Sequence, residues 1–483
     1  MHNALLTKLI LVVLSVLLFG HCRGQEAAPE STAPRPNIIL VMADDLGWGD
    51  VGFNGYPPIR TPNLDRLAAG GITFHRFYAA SPVCSPTRAS VLTGRHPYRQ
   101  GIPTANSGHL RAEEITLAEI LQANGYATGF FGKWHLGTLT TQIRDANRGR
   151  PGDSTHYSLP TMNGFDTYFA TESKVPTYDP MVKPAHYDTL NGESLRYGWA
   201  SLEDGSQALP YGTHYWHGTE ALEEENLRGD DTRLIMDRAL PFIEAAMENQ
   251  QPFFTVIWLH TPHLPVVADH AHRAMYQDAS HTEQLYYGTI TALDEQMGRL
   301  WEVLEARGAS ENTMLWFASD NGPERNTPGS AGPFRERKRS LHEGGVRVPA
   351  FLVWPQHVEA GRTTAVPAVT SDYLPTILDV LKLEYPDARP LDGISLMDII
   401  QGKKQQRGQA IGFHIRQQMS WVTDQYKLIS TDAGQTFELY DLLQDQAEQH
   451  NLAEQHPERV EAMKTALLGW VASCERSDEG MDY

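Results

Sequence analysis

The chain has 483 residues, a formal net charge of −19, 41% hydrophobic residues and 20% charged residues. This is the composition of an ordinary globular protein with enough apolar material for a sizeable core. The acidic balance excludes the basic footprint of a nucleic-acid binder, but it leaves room for a locally basic pocket that takes an anionic small substrate.

Residues 1–24 read as a secretory signal: Lys8 precedes an apolar run from Leu9 to Phe19 that is too short to span a bilayer. Rival readings are an uncleaved anchor and lipid attachment at Cys22, although Phe19, Gly20 and His21 lack the small residues expected before a lipidated cysteine. No later segment is long and apolar enough to be a transmembrane helix, so the expected location is secreted or periplasmic. With Cys22 removed, only Cys84 and Cys474 remain, which leaves no disulfide framework. Residues 25–36 form a flexible lead-in.

From residue 37 buried strands alternate with helices. NIILVMADD is a continuous apolar strand ending in Asp44 and Asp45, and TPNLDRLAAGG is a helix with Thr61 at its N-cap. CSPTR enters a helix, with Pro86 tolerated in the first turn. ITLAEILQANG is a capped helix, and YATGFFGKWHLG is a strand leaving into a loop. The helix DTRLIMDRALPFIEAAME leads into the strand PFFTVIWLHTPH, and a long helix from Leu285 precedes the strand NTMLWFASDNG. VPAFLVWP is a strand and SDYLPTILDVLKL a helix. This alternation predicts an α/β domain over residues 37–400, with a mixed, largely parallel sheet covered by helices on both faces. Beyond the polar boundary QGKKQQRGQ, residues 401–483 carry short strands (AIGFHI, SWVTDQYKLIS, TFELYD) and a last helix from about Glu458, a small α+β domain.

Ligands of open α/β sheets bind at the carboxyl ends of the strands. The groups found there are Asp44 and Asp45, Asp320 and Asn321, His260 and His263, and Lys133 and His135. Three carboxylates and an amide oxygen are hard ligands that suit Ca²⁺ or Mg²⁺ better than zinc. A single acidic pair reads as strand-end capping; two pairs on two strands favour a metal.

Cys84, at a helix N-terminus one turn before Arg88, stands at a nucleophile position beside an anion-binding one. The alternatives are a buried structural cysteine and a thiolate phosphatase, which leaves the aspartates unexplained. Lys338, in RKRSLHEGGVRVP, can reach an anion, and Gly344-Gly345 suggests a tight backbone turn. His109 in TANSGH, and His214 and Trp216 in YGTHYWHGTE, are candidate sugar contacts; loop packing explains them equally well.

These stretches together resemble the formylglycine-dependent (type I) sulfatase family of the alkaline phosphatase superfamily. The resemblance rests on PNIILVMADDLGWGDVG, CSPTRASVLTGR, GYATGFFGKWHLG, HTPHLP, FASDNG, HEGGVRVPAFLVWP and ELYDLLQDQAEQHNLA, in the family's order along nearly the whole chain. It implies an alkaline-phosphatase-like fold and hydrolysis of a sulfate ester, by analogy one on a carbohydrate. It implies that a formylglycine-generating enzyme oxidises Cys84 to formylglycine, whose gem-diol attacks sulfur. By matched motif, Asp44, Asp45, Asp320 and Asn321 would bind one Ca²⁺, with residue 84 at its edge. Arg88 would hold the gem-diol and the metal-side carboxylates, Lys133 and Lys338 the sulfate; His135 would be the base and His263 would serve the leaving oxygen. His260 is a weaker substrate contact, with a structural role as the alternative. Competing functions are a phosphate or phosphonate ester hydrolase of the same superfamily and a catalytically silent, calcium-dependent glycan-binding protein.

Overall fold

The computed structural model describes residues 35–483 apart from 56–57, 188–193, 196 and 203–206. The signal segment, Cys22 and the lead-in up to residue 34 lie outside the described residues. No helix among the described residues is long and apolar enough to cross a membrane.

Ten strands form the main sheet: β1 (Asn37–Ala43), β2 (Ile72–Phe74), β3 (Ala127–Lys133), β4 (Thr167–Thr171), β5 (Tyr215–His217), β6 (Ala221–Leu222), β7 (Phe253–Trp258), β8 (Thr313–Ser319), β9 (Ala350–Val353) and β10 (Arg362–Thr364). Their order is β6-β5-β4-β3-β7-β1-β8-β9-β2-β10. The central five, β4 through β8, are all parallel. Antiparallel pairings of β5 with β4 and of β9 with β8 end the parallel run on each side. The sheet is therefore parallel at its centre and mixed at its margins, as the alternating pattern predicts.

The apolar runs are continuous because both faces of the sheet are covered. Ile38, Leu40 and Met42 of β1 point into one core, and Ile39, Val41 and Ala43 into the other. The first core is closed by helices α2 (Cys84–Thr93), α3 (Leu117–Ala123) and α6 (Tyr373–Leu381). The second is closed by α1 (Pro62–Ala69), α4 (Asp231–Glu248) and α5 (His281–Ala306). Capping boxes start two of these helices, Thr116 with Glu119 and Ser280 with Glu283.

Past residue 400, β11 (Ile411–Ile415), β12 (Gln418–Val422), β13 (Tyr426–Ser430) and β14 (Glu438–Asp441) form an antiparallel sheet in sequential order. SWVTDQYKLIS, read as one strand, divides into β12 and β13. The cause is a turn in which the Tyr426 N–H bonds the Thr423 hydroxyl at 2.8 Å, and the Asp424 carboxylate accepts from the Arg407 and Gly408 amides. One face of this sheet packs on helix α7 (Pro457–Asp478) through Met419, Leu467 and Val471. The other face places Ile411, Phe413 and Ile415 against Tyr78, Val83, Leu341 and Val346. Those four residues flank Cys84 and Lys338 in the chain, so the small sheet backs two of the segments that build the site.

Phe413 is fully buried in that seam, its ring 5.9 Å from Tyr78. Phe413→Ala is expected to lower the unfolding free energy by ~3–5 kcal/mol. Urea denaturation followed by tryptophan fluorescence should show a single transition, since the small sheet shares its core with the larger part.

Candidate active site

The parallel register sets the site. Ala43 is level with Ser319, Met42 with Trp258, and Trp258 with Gly132. Four neighbouring strands therefore stop at one edge and release Asp44, Asp320, His260 and Lys133 side by side. Asp45 and His135 hold left-handed backbones, with φ 66° and 57°. That conformation is unfavourable for non-glycine residues and persists where neighbours impose it. The Asp45 N–H donates to Asp320 Oδ1 at 3.2 Å, and the His135 N–H to the Glu172 carbonyl at 2.9 Å.

Three carboxylates and three cations meet here, all buried. Lys133 Nζ lies 2.6 Å from Asp44 Oδ2, and Lys338 Nζ lies 2.5 Å from Asp45 Oδ1. Arg88 reaches Asp320 Oδ2 through Nε at 3.1 Å and Nη2 at 2.6 Å, and the Lys133 carbonyl through Nη1 at 2.9 Å. Its guanidinium also covers the Trp258 ring at 5.2 Å. Burial pushes Asp44 up, but Lys133, the His263 and Arg88 charges and Lys338 outweigh it and hold Asp44 well below the usual carboxylate range. Burial, reinforced by the Asp44 charge, raises Asp320 to about 7. Burial also raises Asp45, against the pull of Lys338.

Lys338 arrives on a loop whose close packing needs Gly344 and Gly345. A Cβ on Gly344 would sit 2.1 Å from the Glu336 carbonyl oxygen, and one on Gly345 2.0 Å from that of Ser340. The pair is there for close approach of backbone to backbone.

Three buried acceptors in the cluster, Asp44 Oδ1, Asp45 Oδ2 and Asn321 Oδ1, have no hydrogen-bond partner. Buried oxygens are seldom left without a donor or a cation. Together with Asp320 they make a hard, anionic donor set that fits Ca²⁺. The ligating atoms of Asp44, Asp45, Cys84 and His263 all lie within 4.8 Å of one another. His263 thus stands closer to the metal-binding position than its place in HTPH suggests.

Cys84 is the first residue of α2 and is 2% exposed. Burial pushes its thiol up to about 12, against the pull of Lys133 and Lys338. The helix N-terminus and two lysines do not make it a thiolate; dehydration wins. An unmodified Cys84 is a poor nucleophile near neutrality, which counts against the thiolate-enzyme reading.

The histidines divide by their partners. Neither ring nitrogen of His135 has a partner, and burial followed by the Lys133, Arg148 and Arg88 charges keeps the ring well below its ordinary value, hence neutral. His263 Nδ1 bonds the Leu264 carbonyl at 2.6 Å, which makes Nδ1 the donor and turns Nε2 toward Asp45 Oδ2, 3.6 Å away. His260 is fully buried and spends both nitrogens, Nε2 on Thr171 Oγ1 at 2.7 Å and Nδ1 on Asp231 Oδ2 at 2.8 Å. Asp231 also accepts from the Tyr215 hydroxyl at 2.5 Å.

The loop residues lie further out. His109 Nδ1 is 3.4 Å from His156 Nδ1. His214 Nδ1 and Trp216 Nε1 both bond Asp145, each at 2.9 Å, and the Trp216 ring belongs to the core beneath β5. Asp145, Asp231 and Glu172, which order this neighbourhood, escape sequence reading because each lies in a stretch without a motif. Only the register brings them to the site.

Residues 36–383 match the family model described as Sulfatase, and residues 332–470 match one described as N-sulphoglucosamine sulphohydrolase, C-terminal. The N-acetylgalactosamine-6-sulfatase of Mus musculus is 34% identical over 388 residues, covering 76% of this chain and 66% of that protein. Arylsulfatase G of Rattus norvegicus is 32% identical over 412 residues, covering 80% of this chain and 72% of its own. The chain thus spans about two thirds of the length of these curated relatives. The crystal structure of Ps i-CgsB in complex with k-i-k-neocarrahexaose superposes with a TM-score of 0.76 at 28% identity, covering 93% of this chain and 96% of that one. A match running from before Asp44 to beyond Lys338, on a fold that sets those residues at one sheet edge, places the chain in the sulfatase family of sulfuric ester hydrolases.

Proposed function

We propose that the chain hydrolyses sulfate esters of a sulfated carbohydrate and releases inorganic sulfate, with residue 84 carried as formylglycine and one Ca²⁺ bound. The observation that carries this reading is the placement of Cys84 among the ligating atoms of Asp44, Asp45 and His263, with the two lysine charges acting on it. The carbohydrate is supported by the N-acetylgalactosamine-6-sulfatase relative and by the carbohydrate-bound structural neighbour. Export to a secreted or periplasmic location, and processing by a formylglycine-generating enzyme, belong to the same reading.

Asp44, Asp45, Asp320 and Asn321 would hold the metal. Bound Ca²⁺ would neutralise sulfate oxygens and acidify a hydroxyl, and the hydrated aldehyde at residue 84 would supply the attacking oxygen. The other groups have roles set by their partners. Lys133, tied to Asp44, and Lys338, tied to Asp45 and more loosely to Glu324, act on residue 84 and would offer remaining N–H donors to sulfate oxygens. Arg88 spends three of its five N–H donors on Asp320 and the Lys133 carbonyl and lies 3.7 Å from Asp44, so it holds the metal-side carboxylates and keeps donors for the gem-diol. His135, neutral and unpartnered, can accept a proton. His263 has its Nδ1–H anchored and burial keeps its ring well below the ordinary value, so Nε2 is bare and would take up a proton before passing it to the departing alcohol oxygen.

The tryptic peptide from Phe77 to Arg88 should be lighter than its cysteine form and resist thiol alkylation when made in a host that converts a control substrate. Cys84→Ala should lower turnover at least ~10³-fold with the melting temperature little changed; near-normal turnover would remove residue 84 as nucleophile. Chelation with EGTA should abolish turnover and lower the melting temperature, and Ca²⁺ should restore both, because a ligand bound only by the folded state stabilises it. Sulfate esters should be cleaved faster than phosphate or phosphonate esters at equal concentration; the reverse order would favour the rival hydrolase.

The two buried histidines should separate. His135→Ala should cost ~10²–10⁴-fold in kcat with little loss of stability. His260→Ala should instead lower the unfolding free energy by ~1–3 kcal/mol, because it strips Asp231 of a buried partner.

A further inference from the structure

Each cation of the site has a carboxylate partner: Lys133 has Asp44, Lys338 has Asp45 and, at 3.7 Å, Glu324, and Arg88 has Asp320 and, at 3.7 Å, Asp44. Lys174 is left over. It is exposed, between the buried Ser173 and Val175, and has no ion pair among the described residues.

Its stem is fixed to the catalytic edge. Trp134 and His135 donate their N–H groups to the carbonyls of Thr171 and Glu172, both at 2.9 Å. The segment leaving β4 therefore runs alongside the segment that carries Lys133 and His135. Glu172 accepts from the amides of Arg148 at 2.8 Å and Gly149 at 3.1 Å. The Ser173 carbonyl accepts from Thr171 Oγ1 at 2.6 Å, and Ser173 Oγ from Asn147 Nδ2 at 2.9 Å. A cation on so rigid a base is placed rather than loose.

Crowding, then the Lys133 and Lys338 charges, lowers the Lys174 ammonium from its ordinary value, while Asp45 and Asp44 pull it up. Lys174 is in turn among the charges that lower His263. It stands in the field of the sulfate site, yet Lys133 and Lys338 already serve the scissile group. Beside it the exposed amides of Asn106 and Asn147, 2.8 Å apart, offer hydrogen bonds to sugar hydroxyls.

We propose that Lys174 binds a second anionic group of the substrate, a sulfate or carboxylate near the scissile ester, so that the preferred substrate is a polyanionic saccharide. This rests on the sulfatase reading. Lys174 is a specificity residue: its ammonium meets an anion that does not react.

The test is calorimetric, on Ca²⁺-loaded Cys84→Ala protein, with and without Lys174→Met. The probes are galactose 6-sulfate, N-acetylgalactosamine 4,6-disulfate and a chondroitin 6-sulfate disaccharide carrying a uronate. Without Lys174→Met, at least one dianionic probe should bind at least about tenfold more tightly than galactose 6-sulfate, the scale of one charge-assisted hydrogen bond. Lys174→Met should erase that ratio and Lys174→Arg should keep most of it. Loss for the disulfate alone identifies a second sulfate, and loss for the uronate alone a carboxylate. A ratio near one with Lys174 present, or one that survives Lys174→Met, overturns the proposal. Sulfate release by the fully converted enzyme is assayed separately. If no ester is cleaved while the ratio depends on Lys174, the sulfatase reading falls and the anion site stands.

Discussion

The structure depends on the cost of burying Asp44, Asp45 and Asp320 together at one edge of a sheet. Two like charges 4 Å apart repel by about 4 kcal/mol at an effective dielectric constant of about 20. Lys133, Lys338 and Arg88 offset this one for one, and each is itself buried. The arrangement leaves three buried acceptor oxygens without a hydrogen-bond donor, which is what a divalent cation needs and an apoprotein does not. The acids, bases and cations around it take their protonation from this cluster. Neighbouring cations keep Asp44 ionised against its burial, whereas burial first and those cations second keep His135 neutral.

The rest of the fold holds that cluster in register. Parallel strands deliver the residues at nearly one height, because β1, β7, β8 and β3 end within one residue of each other in register. Left-handed turns at Asp45 and His135 re-aim two side chains just past the strands. The C-terminal sheet contributes from outside. Buried Lys427 of β13 bonds Glu343 at 2.9 Å and lies 3.0 Å from Glu448, and Glu343 belongs to the loop that delivers Lys338. The C-terminal part thus braces the segment that carries Lys338 to the acidic cluster.

Burial also decides between readings that local chemistry leaves open. A cysteine at a helix N-terminus beside lysines has the setting of an activated thiolate. Here dehydration outweighs those charges and keeps the Cys84 thiol protonated. His260 and His263, the two ends of one HTPH stretch, part in the same way. The first is fully buried with both nitrogens spent, and the second keeps one nitrogen facing the acidic cluster.

Much was legible in the sequence because its signals are local. Apolar runs of seven residues, capped helices and a change of pattern near residue 400 specify a doubly covered sheet and a smaller C-terminal sheet. The acidic pairs at two strand ends, CSPTR, GKWHLG and the lysine before the glycine pair mark the site. The turn within SWVTDQYKLIS was not legible, since β-branched and aromatic residues suit a strand on either side of it. Nor were the partners that assign roles: Asp231 to His260, Asp145 to His214 and Trp216, and the leftover charge of Lys174. The sequence by itself determined which reactive groups the chain carries and on which strands they end. Tertiary structure decided which of them meet, which are satisfied and which remain free, because charge pairing in the acidic cluster joins Asp45 to Lys338, 293 positions away.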